Sequence, residues 1–185
     1  MNTIKAIETE YHGYRFRSRL EARWAVFFDS LQVEWLYEFN AFETTVGNYL
    51  PDFLLPKSRP AWWPLYPGEP EERMTASDGV YMEVKPTHPT DLEICKLRDV
   101  SLQETRGAVF LCGIETHPKQ KNIVNPFNLT AWTGLVFCDD CQALHVFCDC
   151  QCVPHEVECP TCSQLLDPYS LKIKEAGDKA KSRRF

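Results

Sequence analysis

Residues 48–55 read Asn-Tyr-Leu-Pro-Asp-Phe-Leu-Leu, and residues 79–86 read Gly-Val-Tyr-Met-Glu-Val-Lys-Pro. Both stretches are short, apolar and bounded by turn-forming residues, which reads as two β-strands. Pro51 cannot donate to a ladder, so the first strand is expected at a sheet edge or bulged at that point. Along the second, alternation puts Tyr81, Glu83 and Lys85 on one face and Val80, Met82 and Val84 on the other. Such a strand is expected to be covered on both sides, and its charges then need partners or a metal. If the two strands pair, Asp52 comes to lie beside Glu83. Two carboxylates at one strand edge form a hard oxygen site suited to Mg²⁺. A lysine within reach can orient or deprotonate a metal-bound water and stabilise developing negative charge.

Working outward, residues 18–31 carry Leu20, Trp24, Phe27, Phe28 and Leu31 on one face of a helix. Ser18 and Glu21 have the spacing of a capping box at its start. Residues 33–39 read as a further strand. Between the two motif strands, residues 56–78 hold Pro56, Pro60, Pro64, Pro67 and Pro70 with Glu69, Glu71 and Glu72, a long solvated excursion. Thr90 and Glu93 suggest a second capping box, opening a helix that ends near Gly107. Residues 108–114 read as a buried strand and 115–132 as a linker. The expected order is helix, strand, strand, strand, helix, strand.

At Pro51-Asp52, Glu83-Val84-Lys85 and Glu21 the chain resembles the PD-(D/E)xK nuclease superfamily. Residues 16–25, Phe-Arg-Ser-Arg-Leu-Glu-Ala-Arg-Trp-Ala, look like the opening helix of phage and bacterial members related to transposon-end endonucleases and Holliday-junction resolvases. The resemblance implies an α/β, restriction-endonuclease-like αβββαβ core and Mg²⁺-dependent hydrolysis of phosphodiester bonds in DNA. It implies that Asp52, Glu83 and the backbone carbonyl of Val84 hold Mg²⁺ or Mn²⁺. Lys85 would position the attacking water, and Glu21 would assist. Ordinary readings stand beside these: Glu21 as a helix-capping residue, Asp52 as a turn residue, and Glu83 with Lys85 as a solvated strand face. Arg15, Arg17, Arg19 and Arg23 suit phosphate contacts or a salt-bridged helix start. Glu38 and Lys96 read as surface residues that can border the site. Trp62 and Trp63 pack a loop or stack on unpaired bases.

Seven of the nine cysteines fall between Cys138 and Cys162. Cys138-x2-Cys141 and Cys159-x2-Cys162 are two knuckles separated by seventeen residues, the spacing of a four-thiolate Zn²⁺ site of the zinc-ribbon kind. Four thiolates leave no open position for water, so this Zn²⁺ is expected to be structural. A ribbon of this size needs its metal to fold, and its role is to hold DNA or a partner protein. Cys148, Cys150 and Cys152 are surplus; they are free thiols, ligands to a second zinc with His145 or His155, or substitutes within the first set. Cys95 and Cys112 sit in apolar contexts and read as core residues.

Composition fits a folded domain: 44% hydrophobic, 12% aromatic and 25% charged over 185 residues. No apolar run is long enough for a membrane span. Residues 1–10 have no apolar segment of the secretory kind, and the cysteine usage suggests a reducing cytoplasm. A net charge of −6 argues against coating nucleic acid by bulk charge. Residues 172–185, however, carry six basic side chains against Glu175 and Asp178. The expected organisation is a nuclease-like domain over 1–130, a zinc ribbon over 131–168 and a basic tail over 169–185. The rival readings are a non-catalytic adaptor for nucleic acid or protein that keeps the fold, and a zinc-ribbon regulator on an N-terminal scaffold.

Overall fold

The computed structural model describes residues 6–59, 78–114, 123–124, 126, 132–149, 157–167 and 170–185. Within them the chain is a mixed α/β fold of three helices and a central mixed sheet. Two short strands, β1 (Thr9–Tyr11) and β2 (Tyr14–Phe16), form a hairpin ahead of helix α1 (Arg19–Ser30). Next come β3 (Leu36–Tyr37), the hairpin of β4 (Phe42–Thr44) and β5 (Gly47–Tyr49), and β6 (Phe53–Leu55). Strand β7 (Val80–Lys85), helix α2 (Asp91–Glu104), β8 (Gly107–Cys112) and β9 (Ile123–Val124) follow.

The central sheet has the order β3-β6-β7-β8-β9. Strand β7 pairs antiparallel with β6 and parallel with β8, and α2 supplies the crossover that a parallel pair requires. Period-two alternation divides the sheet's side chains between two cores. Val80, Met82, Val84, Val109 and Leu111 pack under α1, against Trp24, Phe27 and Phe28. Tyr81, Ala108 and Phe110 pack under α2, against Ile94, Leu97 and Val100. Strand β7 is thus covered on both faces, as its pattern suggests. The Trp24 indole N–H donates to the Gly113 carbonyl at 2.7 Å, fixing α1 to the end of β8.

Residues 48–55 are not one strand. Leu50-Pro51-Asp52 interrupts them, so that β5 turns back on β4 and only β6 joins the central sheet, inside it rather than at an edge. Proline's missing N–H is accommodated by ending the ladder before it, not by bulging it. Strand β3 is shorter than residues 33–39, because Glu38 takes a left-handed conformation (φ 48°) directly after Tyr37. Strand β9 lies within the stretch that reads as a linker and pairs with β8.

The C-terminal part continues with the hairpin of β10 (Trp132–Cys138) and β11 (Ala143–Asp149), the two-residue strands β12 (Val157–Glu158) and β13 (Leu165–Leu166), and helix α3 (Leu171–Ser182). Leu135, Phe137, Leu144 and Val146 of the hairpin, and Ile173, Ala176 and Ala180 of α3, belong to the same core as α1 and the sheet. Boundaries drawn at 130 and 168 therefore run through one shared core. The stretch that reads as a basic tail is a helix packed on α1 by its small apolar residues. No helix among the described residues is long and apolar enough to cross a membrane.

Candidate functional site

Four of the residues singled out in the sequence meet where β6 begins and β7 ends. Register pairs Phe53 with Met82, which brings the preceding Asp52 against Glu83. Asp52 is 2% exposed, Glu83 5% and Glu21 6%. One oxygen of Asp52, Oδ2, accepts the Val84 backbone N–H at 2.7 Å, and the Asp52 N–H points to Glu83 Oε2 at 3.3 Å. Lys85 Nζ lies 2.9 Å from Glu83 Oε1 and 2.6 Å from Glu93 Oε1. Glu93 divides its carboxylate between two tasks. Its other oxygen accepts the Thr90 N–H and hydroxyl in the capping box that starts α2, so the helix start and Lys85 share one anchor.

Glu21 approaches from α1. Ser18 Oγ accepts the Glu21 N–H at 3.2 Å, as an N-cap should. The returning half of the expected capping box is missing, because the Glu21 carboxylate turns instead to the Arg17 N–H at 3.1 Å and the Tyr37 hydroxyl at 2.6 Å. Capping therefore does not account for where this carboxylate points. Arg17 itself bridges Asp52 Oδ1, at 2.5 Å, and Glu38 Oε1, at 2.8 Å.

Electrostatics follow from burial. Burial, then the neighbouring charges of Glu83 and Glu21, pushes the Asp52 carboxyl well above its ordinary value, against the Val84 N–H and Arg17. Burial likewise raises Glu83, although Lys85 opposes it. Burial lowers the Lys85 ammonium, but Glu83 and Glu93 more than offset it, so the group lies above its usual range and stays charged. Burial pushes Glu93 up, yet hydrogen bonds from Lys85 and Thr90 bring it down to about 2. The Tyr49 hydroxyl, raised by burial and by Glu83, is sealed without a well-directed hydrogen bond. Five carboxylates (Glu21, Glu38, Asp52, Glu83 and Glu93) thus share two cations, Arg17 and Lys85.

The cysteines form a second site. Sγ atoms of Cys138, Cys141, Cys159 and Cys162 all lie within 4.8 Å of one another. Cys138 and Cys162 are 3.6 Å apart, and Cys141 and Cys159 are 3.8 Å apart. A tetrahedral ion with bonds of about 2.3 Å sets its sulfurs about 3.8 Å apart, so the group fits a structural metal such as Zn²⁺. Buried His145 accepts the Arg59 N–H at Nδ1 (3.1 Å), which leaves its Nε2–H to donate to Cys159 Sγ at 3.4 Å. His145 is therefore a neighbour that orients a ligand, a common arrangement at metal centres. Among the described residues this is the one group of three or more His, Cys, Asp or Glu side chains so contracted; the carboxylates around Asp52 are spaced more widely.

Of the remaining candidates, Glu38 borders the first site through Arg17. Lys96 donates to the Asn48 carbonyl and lies over the Tyr49 ring. Arg15 pairs with Glu8 at the surface. Cys95 is half-buried, and Cys112, also half-buried, packs against the core under α2. Trp62, Trp63, Cys150, Cys152, His155 and the side chain of Cys148 lie outside the described residues. Tyr37, Tyr49 and Glu93 join the site without having been singled out for it in the sequence; only Glu93 had a local signal, its capping-box spacing. Comparison with family models, curated proteins and solved structures finds no match for this chain.

Proposed function

We propose that the chain is a Mg²⁺-dependent deoxyribonuclease with a restriction-endonuclease-like core, hydrolysing phosphodiester bonds in DNA, and that the four cysteines bind a structural Zn²⁺. The observation that carries the reading is the joint burial of Asp52 and Glu83 where β6 begins and β7 ends, with Lys85 bonded to Glu83. The sequence of α1, β3, β6, β7, α2 and β8 about the sheet supports it.

The donor set fits a hard divalent cation. It is all oxygen and deep, its negative charges outnumber its cations, and burial above all holds its two central carboxyls above their usual range. Asp52, Glu83 and the Val84 carbonyl would hold Mg²⁺ or Mn²⁺. When bound, the ion supplies Lewis-acid polarisation of the phosphodiester and acidifies a water. Lys85, kept protonated by Glu83 and Glu93, is suited to orienting that water and to meeting negative charge on the reacting phosphate, not to accepting a proton. Glu21, positioned by Tyr37 and the Arg17 N–H, is left to assist from the helix side. A pure adaptor has no chemical need for this buried set. The cysteine ribbon and α3 would serve DNA or a protein partner.

Nicking of supercoiled plasmid, with Mg²⁺, Mn²⁺, Ca²⁺ or EDTA, tests the proposal. Branched DNA, single-stranded DNA and RNA are run alongside. Nicking with Mg²⁺ and Mn²⁺ alone is expected. Binding of DNA with no cleavage under any metal would favour the adaptor.

A further inference from the structure

Asp52 offers two oxygens, and they are held by different partners. Oδ2 is fixed by the Val84 backbone N–H within the sheet. Oδ1 holds the Arg17 guanidinium. A cation that takes Oδ1 competes with Arg17 for one atom. Arg17 is placed to yield. It lies in the bend between β2 and α1, and its side chain is 54% exposed, whereas the Asp52 side chain is 3% exposed. Its second anchor, Glu38, is at the site's rim. The guanidinium thus sits between solvent and the buried carboxylates, where an incoming anionic substrate arrives first.

From this we infer that Arg17 is a substrate-binding residue with two positions. Without metal it neutralises Asp52; when a divalent cation takes Oδ1, the guanidinium is released and binds a phosphate of the nucleic acid beside the reacting bond. A planar, permanently charged fork suits both carboxylate and phosphate oxygens. Metal binding and substrate binding are then linked, because the first event frees the ligand for the second. The inference rests on the nuclease reading.

The test measures two quantities that this exchange moves in opposite directions. Mn²⁺ binding to zinc-loaded protein is followed by calorimetry, and single-turnover cleavage of a duplex is followed at saturating Mn²⁺. Arg17→Ala should bind Mn²⁺ about tenfold more tightly, since Asp52 loses a competing cation, yet cleave about 100-fold more slowly. The gain in Mn²⁺ affinity should vanish when Arg17→Ala is combined with Asp52→Asn. A merely structural role would weaken both binding and cleavage. Arg17→Lys keeps the charge and the local packing, and should retain Mn²⁺ affinity near that of the unaltered protein while cleaving about tenfold more slowly. Unchanged Mn²⁺ affinity in Arg17→Ala, or full-rate cleavage by Arg17→Lys, overturns the inference while leaving the nuclease reading intact. Failure of the unaltered protein to bind Mn²⁺ and to cleave overturns both.

Discussion

Substituting Cys162 by Ser should abolish metal binding by the four-cysteine group, and the structure indicates how far the damage would spread. The end of the ribbon, residues 157–167, has little else to hold it. Its strands are two residues long each, and its buried apolar side chains outside the cysteines are Val157 and Leu166. Full burial of two such side chains contributes at most about 3–6 kcal/mol. Beyond these, the cysteines themselves join the segment to the hairpin, as Cys159 and Cys162 meet Cys138 and Cys141. The β10–β11 hairpin is in a different position. It inserts Leu135, Phe137, Leu144 and Val146 into the main core, about 6–12 kcal/mol of burial independent of the metal, and its full ladder is intact. Hydrogen exchange should therefore show loss of protection over 157–167 in Cys162→Ser, with protection over 133–147 and in α1 largely kept. Elemental analysis should give about one zinc per chain before the substitution and none after it. Equal loss of protection in the hairpin and α1 would refute the reasoning. So would zinc-free protein whose 157–167 segment stays protected.

Gly134→Ala puts a Cβ 2.5 Å from the Phe147 ring across the hairpin and should destabilise by about 1–3 kcal/mol; a thermal melt shows this, and adding Phe147→Leu should recover most of it. Glu93 is held below its ordinary value, at about 2, so its contribution is fully present above about pH 4.5 and lost as pH falls toward 2. Glu93→Gln should flatten the stability profile in that acid window, read by denaturant titration at each pH. Asp52 is held above its ordinary value, so its ionisation in the metal-free protein opposes folding, and stability falls as pH rises through its folded value. Asp52→Asn should accordingly raise the melting temperature at pH 7–8 without divalent metal; a lower melting temperature would mean that the Arg17 pair outweighs burial.

The parts of this fold carried by local periodicity were legible in the sequence. Helix α1, strand β7 and the two cysteine knuckles announce themselves through side-chain spacing alone. Helix α3 did not, because its four lysines and the two arginines that follow it masked a buried set made of one isoleucine and small residues, Ala176, Gly177 and Ala180. Its core role depends on close approach to α1, which composition does not express. The split of residues 48–55 was not legible: Pro51 reads as a mark of an edge or bulged strand, and not as the point where β5 turns back on β4 and β6 begins inside the sheet. Asp52 and Glu83 were legible together, because antiparallel pairing of their strands sets them side by side. The Arg17–Asp52 bond was not, as it joins residues 35 apart through the geometry of a bend. Tyr37 was equally hidden, its hydroxyl finding Glu21 only once β3 had taken its place beside β6.

The most direct test of the central claim is the rate of Mg²⁺-dependent plasmid nicking by Glu83→Gln relative to the unaltered protein, both carrying one zinc and both folded by circular dichroism. Glu83→Gln preserves the shape of the site but removes one charge from the pair with Asp52, which is also one of the two partner charges of Lys85. Nicking by the unaltered protein and at least about a 100-fold loss in the variant are expected. Equal nicking by both would contradict the claim.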